Sequence, residues 1–161
     1  MDLVKHIHFV NNKRKENSKF FKKLKNIKPK VLDKTIISVH ETVFKGINCL
    51  ECANCCKTTS PSFTDKDIQR ISNFLKIKPS NLVDKYLVLD EENDYVLKSV
   101  PCVFLNDNNE CRIYKVRPKA CRNYPHTNRI KQYQLLKLTQ KNIEICPAVS
   151  QIIEKIKLKL N

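Results

Sequence analysis

Among 161 residues there is one glycine, Gly46. A phosphate-cradling loop or a dinucleotide fingerprint needs several glycines at fixed spacing, because the backbone itself must come close to phosphate. Neither motif can be written here, nor can a nucleophile elbow of the G-x-S-x-G kind. Arginine is scarce as well, 6 of the 31 basic residues against 25 lysines. Arginine is the preferred residue for phosphate and base recognition, so its scarcity tells against sequence-specific readout, and nucleic acid is not expected as a partner. No apolar run approaches the ~18 residues of a membrane span, and no membrane association is expected. The opening residues Met1-Asp2-Leu3-Val4-Lys5-His6-Ile7-His8 meet charge too early for the apolar centre of a secretory signal. A cytoplasmic, reducing setting is therefore expected, which argues against four structural disulfides.

What remains is a chain of 41% apolar and 29% charged residues, the balance of one globular domain with a real core. Its formal charge is +15. Within it, Cys49-Leu50-Glu51-Cys52-Ala53-Asn54-Cys55-Cys56 packs four thiols into eight residues. The other four follow as Cys102, Cys111, Cys121 and Cys146, the last before Pro147. Thiols that dense in a reducing compartment point to a metal or redox task. Thiolate sulfur is a soft ligand that suits zinc, copper(I) and iron–sulfur chemistry. A C-x2-C turn can aim two sulfurs at one ion, and 49/52 and 52/55 are two such turns that overlap. On a continuous helix Cys49, Cys52 and Cys56 would share a face. Adjacent Cys55 and Cys56 would diverge and serve two different ions or two irons of one cluster. Eight thiolates suffice for two closed four-coordinate sites; two divalent ions so held would bring the charge from +15 to about +11.

The rest of the chain reads as mainly α. The lysine-rich stretch 3–27 carries apolar residues at helical spacing, broken by a polar run from Asn11 to Lys19, and predicts one helix or two. Pro29 opens a cleaner helix with Leu32, Thr35, Ile36, Val39, Val43 and Ile47 on one stripe, and Gly46 suits a left-handed cap at its end. Thr64 is a good N-cap for a short helix with Asp65 and Asp67 in its first turn, and Pro79 starts another through Leu87. Glu91 to Asp94 is an acidic turn. Tyr95–Lys98 and Val103–Leu105 are β-prone, and the turn Asn106–Asn109 would bring Cys102 and Cys111 together. Residues 129–141 look helical, with a strand as the alternative, and Pro147 opens a last helix through Val149, Ile152, Ile153 and Ile156. The expected organisation is a single domain, 1–161. Basic N-terminal helices fill 1–46, a cysteine-cluster core with a short β-hairpin fills 47–150, and a C-terminal helix spans 147–160. Arg112, Arg117 and Arg122 flank the later cysteines and could offset thiolate charge. His40 and His126 read as ordinary hydrogen-bonded or surface histidines.

The blocks Cys49-x2-Cys52-x2-Cys55-Cys56, Pro101-Cys102-x-Phe104-Leu105, Cys111-x-Ile113-Tyr114-x2-Arg117-Pro118-x2-Cys121-Arg122-x-Tyr124-Pro125 and Cys146-Pro147 together resemble the YkgJ-like cysteine-cluster family over roughly residues 46–150. Its members are described as zinc- or iron-chelating. The resemblance implies that Cys49, Cys52, Cys55, Cys56, Cys102, Cys111, Cys121 and Cys146 are all metal ligands, with zinc or iron as the ion. It implies no reaction, and catalysis is not expected. A similar cluster occurs in flagellin lysine methylases, which are bigger proteins; nothing here looks like a methyl-donor site. The expected role is structural or metal-handling, the alternative an iron–sulfur protein of redox or modification chemistry. The basic N-terminal helices, outside the resemblance, would offer a protein-partner surface.

Overall fold

A computed structural model describes residues 2–160. The fold is mainly α with one small antiparallel sheet, and it divides into two compact units. Unit 1 holds the chain up to Cys52 and again from Pro125 onward; unit 2 is Ala53–Tyr124. No helix among the described residues is long and apolar enough to cross a membrane.

Unit 1 is built on four helices, α1 (Leu3–Leu24), α2 (Pro29–Phe44), α8 (Gln132–Ile145) and α9 (Pro147–Leu160). The short α3 (Cys49–Cys52) lies at the end of its first segment. The polar run in α1 does not break it. Asn17 is buried and accepts from Lys157 Nζ at 2.6 Å, and Glu16 takes Lys13 and Lys157 at 2.7 and 2.6 Å, so the polar stretch is satisfied within a continuous helix. Asp2 caps the start, accepting from Lys5 N–H. Leu32, Ile36, Val39 and Val43 of α2 enter a core shared with Val10, Phe20, Phe21 and Leu24 of α1, Leu136 and Ile143 of α8, and Val149, Ile152, Ile153 and Ile156 of α9. Each such side chain contributes about 1.5–3 kcal/mol on burial, which is why the 3.6-residue stripes decide the packing. The left-handed cap expected at Gly46 is not used: its φ is not positive, and Lys45 closes α2 in ordinary helical conformation. Helix α8 starts three residues later than the pattern suggests. Asp33 of α2 accepts from the N–H groups of Lys131 and Gln132 at 2.8 Å each, and this tertiary cap sets the boundary.

Unit 2 contains α4 (Asn54–Thr58), α5 (Asp65–Leu75), α6 (Pro79–Tyr86) and α7 (Lys119–Asn123), with β1 (Ser62–Phe63), β2 (Leu87–Leu89) and β3 (Tyr95–Leu97) in the order β1-β3-β2. The hairpin is β2–β3, paired Leu87↔Leu97, Val88↔Val96 and Leu89↔Tyr95. Leu87 thus belongs to a strand rather than to the preceding helix. Asp90 explains the acidic turn, its carboxylate accepting from Glu92 and Asp94 N–H at 2.9 Å to close the hairpin. Val103–Leu105 forms no strand; it supplies one bridge, Leu105↔Cys111. Thr64 and Asp67 make the expected cap of α5 as a reciprocal capping box. Phe63, Ile68, Ile71, Leu82, Leu87, Leu97, Phe104 and Ile113 form this unit's core.

Candidate metal centre

The stretch from Cys49 to Cys56 is two short helices, not one. Asn48 Oδ1 accepts from Leu50 N–H at 3.1 Å to open α3. Ala53, at φ 46 and ψ 18, is left-handed and ends it. Cys49, Cys52 and Cys56 therefore do not share a continuous helical face. Left-handed backbone costs a residue with a Cβ about 1–2 kcal/mol, so a helix break here is held by the surrounding structure.

In unit 2 four segments supply the thiols. Cys55 and Cys56 lie on α4; Cys102 follows the cis bond Val100–Pro101; Cys111 closes the Asn106–Glu110 loop; Cys121 is on α7. Cys102 N–H donates to the Cys56 carbonyl at 2.8 Å, joining two of these segments directly. The Cys121 thiol is pushed up to about 12, first by burial and then by the negative charges that Cys56, Cys102 and Cys111 would carry. Cys102 is raised by burial and then by Cys56 and Cys111, Cys111 by burial and then by Cys56. Cys56 is raised first by a hydrogen bond with Cys55 and then by burial. That thiol–thiol contact keeps the two sulfurs together, although adjacent positions on a regular helix lie about 100° apart. Cys56, Cys102, Cys111 and Cys121 are thus one mutually repelling set once ionised.

Unit 1 holds the other group. Cys146 sits between α8 and α9, packed against the helical core. Its thiol is raised to about 11, first by burial and also by the charges of Cys49 and Cys52, against the opposing N–H groups of Val149 and Ala148. Cys49 is exposed, while Cys52 and Cys146 are half-buried. Cysteines 52, 55, 56, 102, 111, 121 and 146 carry free thiols.

Among the described residues no three His, Cys, Asp or Glu side chains already stand in ligand geometry. The donor chemistry nevertheless fits a soft cation. Partly buried thiols that repel one another as anions are discharged by a divalent ion, which takes thiolates outright. Cations of the chain supply part of that compensation. Arg117 opposes the rise of Cys56, Cys111 and Cys121, and Arg112 that of Cys111. The Arg117 guanidinium lies over the Tyr114 ring at 3.8 Å and donates to the Tyr114 carbonyl at 2.8 Å. Arg112 and Arg122 are both exposed side chains, and of the two Arg112 opposes the rise of Cys111.

Behind these cysteines lies a network that motif reading missed. Asp67 is 1% exposed; Arg70 Nη2 donates to its Oδ1 at 2.5 Å, and Lys119 N–H to the same oxygen at 3.1 Å. Arg70 also donates to the carbonyls of Val116 and Arg117 at 3.3 and 2.9 Å. The segment leading to Cys121 is therefore tied to α5. Thr64-x2-Asp67 announced the cap, but nothing in the sequence couples Arg70 to residues 116–119. His40 is hydrogen-bonded as expected, its Nδ1 2.8 Å from Thr127 Oγ1 and its ring stacked on Phe44 at 4.2 Å. His126 is left-handed, and its carbonyl accepts from Gln132 Nε2 at 2.8 Å.

A family model, CxxCxxCC, described as "Putative zinc- or iron-chelating domain", matches residues 48–147, the segment with all eight cysteines. An uncharacterized protein of Methanocaldococcus jannaschii is 34% identical over 93 residues, covering 55% of this chain and 49% of that protein. The chain thus spans about half the length of that curated relative. No solved structure gives a significant match.

Proposed function

The chain belongs to the CxxCxxCC family, whose model is described as a "Putative zinc- or iron-chelating domain", and from that premise we propose that it chelates zinc or iron through two groups of thiolates, one in each unit. Cys56, Cys102, Cys111 and Cys121 would make a closed four-thiolate set, with Cys55 beside it. Cys49, Cys52 and Cys146 would make the second. The observation that carries this reading is the first group: four thiols from four separate segments, each raised in part by the others' charge or, for Cys56, by its neighbour's. As bare thiols Cys102 and Cys111 only pack against the core; around a cation the whole set would act together. A bound ion would supply the positive charge that Arg112 and Arg117 only begin to provide. It would also tie α4, α7 and the segments carrying Cys102 and Cys111 to one point, as in structural thiolate sites. The proposed role is structural or metal-handling rather than catalytic.

Elemental analysis of protein purified anaerobically, without a metal-affinity column, tests this. Metal near one or two ions per chain is expected. Cys121→Ser or Cys111→Ser should lower the content by about one ion, and Cys146→Ser should leave the unit 2 ion in place. A metal-free protein with intact fold would overturn the reading. A brown protein with several irons per chain would replace it by a cluster.

A further inference from the structure

The charge of the chain is unevenly divided. Residues 1–52 and 125–161 contain 19 Lys/Arg against 7 Asp/Glu, a net of +12, while residues 53–124 contain 12 against 9, a net of +3. Lysine makes up 17 of 89 residues in unit 1 and 8 of 72 in unit 2. A coding bias toward lysine would act on both units alike. The excess is local.

It concentrates on one face of α1 and the turn that follows. Lys15, Lys19, Lys22 and Lys23 recur at helical spacing, opposite the face that buries Val10, Asn17, Phe20, Phe21 and Leu24. All four are exposed, and none has a carboxylate within ion-pair distance among the described residues. Lys25, Lys28 and Lys30 extend the series. Glu16 is the only acidic residue between Asp2 and Asp33, and it is committed to Lys13 and Lys157. Like charges three and four residues apart destabilise a helix by a few tenths of a kcal/mol each, roughly 0.2–0.5. The last turn of α1 favours Lys22 and Lys23 through the helix dipole, but not Lys15 or Lys19.

We propose that this lysine face binds the phosphodiester backbone of nucleic acid without reading its sequence. A protein partner would want aromatic or apolar anchors, yet no large apolar side chain is exposed between Lys15 and Lys30. A membrane surface would want an apolar helix face free beside the lysines; α1 exposes Val4, Ile7 and Phe9 only in its first two turns, and along the lysine stretch its apolar side chains Phe20, Phe21 and Leu24 are in the core. A backbone of phosphates needs only a row of cations, with lysine serving as well as arginine when no base edge is read. The low arginine content excludes sequence-specific readout and leaves this mode intact. The face lies outside residues 48–147, so it is independent of metal chelation.

The test uses the full chain as purified, with fluorescence anisotropy on a labelled 20-bp DNA duplex and a 20-nucleotide RNA between 50 and 200 mM KCl. Binding to either should weaken linearly in log–log form, with a slope near −0.9 per phosphate contact for the duplex. The stronger of the two identifies the source of the backbone. K15Q/K19Q/K22Q/K23Q should flatten the duplex slope by about 3–4 and weaken binding at least ~100-fold at 50 mM KCl. K66Q/K76Q/K78Q/K115Q, which removes equal charge from unit 2, should leave both nearly unchanged. Should the first variant lose helicity by circular dichroism, K19Q alone should flatten the slope by about 1. No binding at 50 mM KCl, or equal losses in the two quadruple variants, would overturn the proposal. So would capture by phosphatidylserine vesicles in the absence of nucleic-acid binding.

Discussion

Two neighbouring residues show how local geometry and residue type part company. Gly46 has the freedom to be left-handed and does not use it, whereas Ala53 is left-handed without that freedom. A Cβ at Gly46 would meet only the Val43 carbonyl oxygen, at 3.9 Å. Gly46→Ala should therefore be neutral or stabilise by about 0.4–1 kcal/mol through the unfolded chain, read as a higher urea midpoint. A loss above that size would mean the position is strained after all. At Ala53 two terms compete. Ala53→Gly relieves about 1–2 kcal/mol of backbone cost and forfeits about 0.8 kcal/mol for one buried methyl. The expected result is a small net gain in thermal midpoint with metal content unchanged. The thiols add a pH dependence. Burial and mutual charge keep Cys102, Cys111 and Cys121 protonated at neutral pH, so metal uptake must displace protons. Apparent affinity should rise with pH across the neutral range, and calorimetry in buffers of different ionisation enthalpy should register the release.

Caps drawn from within the same chain segment were legible; caps that cross the fold were not. Thr64 with Asp67 could be read from spacing, as could Pro29, Pro79 and Pro147 at helix starts. Asp33 capping α8 could not, since its partners are 98 and 99 residues away, and the boundary of α8 was misjudged for that reason. Likewise the strand at Leu87–Leu89 emerged only once β3 was there to pair with it. Composition and spacing singled out the thiols as candidates but not their division between units, because grouping depends on segments that meet only in the fold. Asp67 is the element whose loss should matter most. Burial alone would raise its carboxyl; hydrogen bonds from Thr64, Arg70 and the Lys119 N–H outweigh that and hold it below the usual range. A depressed carboxylate stabilises the fold above its unfolded value of 3.8 and loses that contribution as pH falls through the lower folded value. Asp67→Asn should cost about 1–3 kcal/mol at pH 7 and blunt the acid transition. If the variant unfolds in acid just as the parent does, the network is not what acid breaks.

At the scale of the molecule the two units differ in what can hold them. Unit 1 buries fifteen apolar residues in its core among those described, unit 2 eight, spread over short helices and a three-stranded sheet. Below about 70–80 residues a single core rarely supplies more than 3–5 kcal/mol, and unit 2 should therefore depend on the ion proposed for its thiols. Chelator treatment should strip amide-exchange protection from residues 53–124 while α1, α2, α8 and α9 keep theirs; uniform loss throughout would contradict this. The chain leaves unit 1 at Cys52 and re-enters it at Pro125, and that interruption also has a meaning in time. On the ribosome, α1 and α2 emerge with Leu32, Ile36 and Val39 facing no partner until α8 and α9 arrive. The 72 intervening residues occupy roughly 4–14 s at 5–20 residues per second. Through that interval the nascent helical pair is the stretch a chaperone has to shield, while the inserted unit, with Cys55, Cys56, Cys102, Cys111 and Cys121 all synthesised, is complete before the last helix is made.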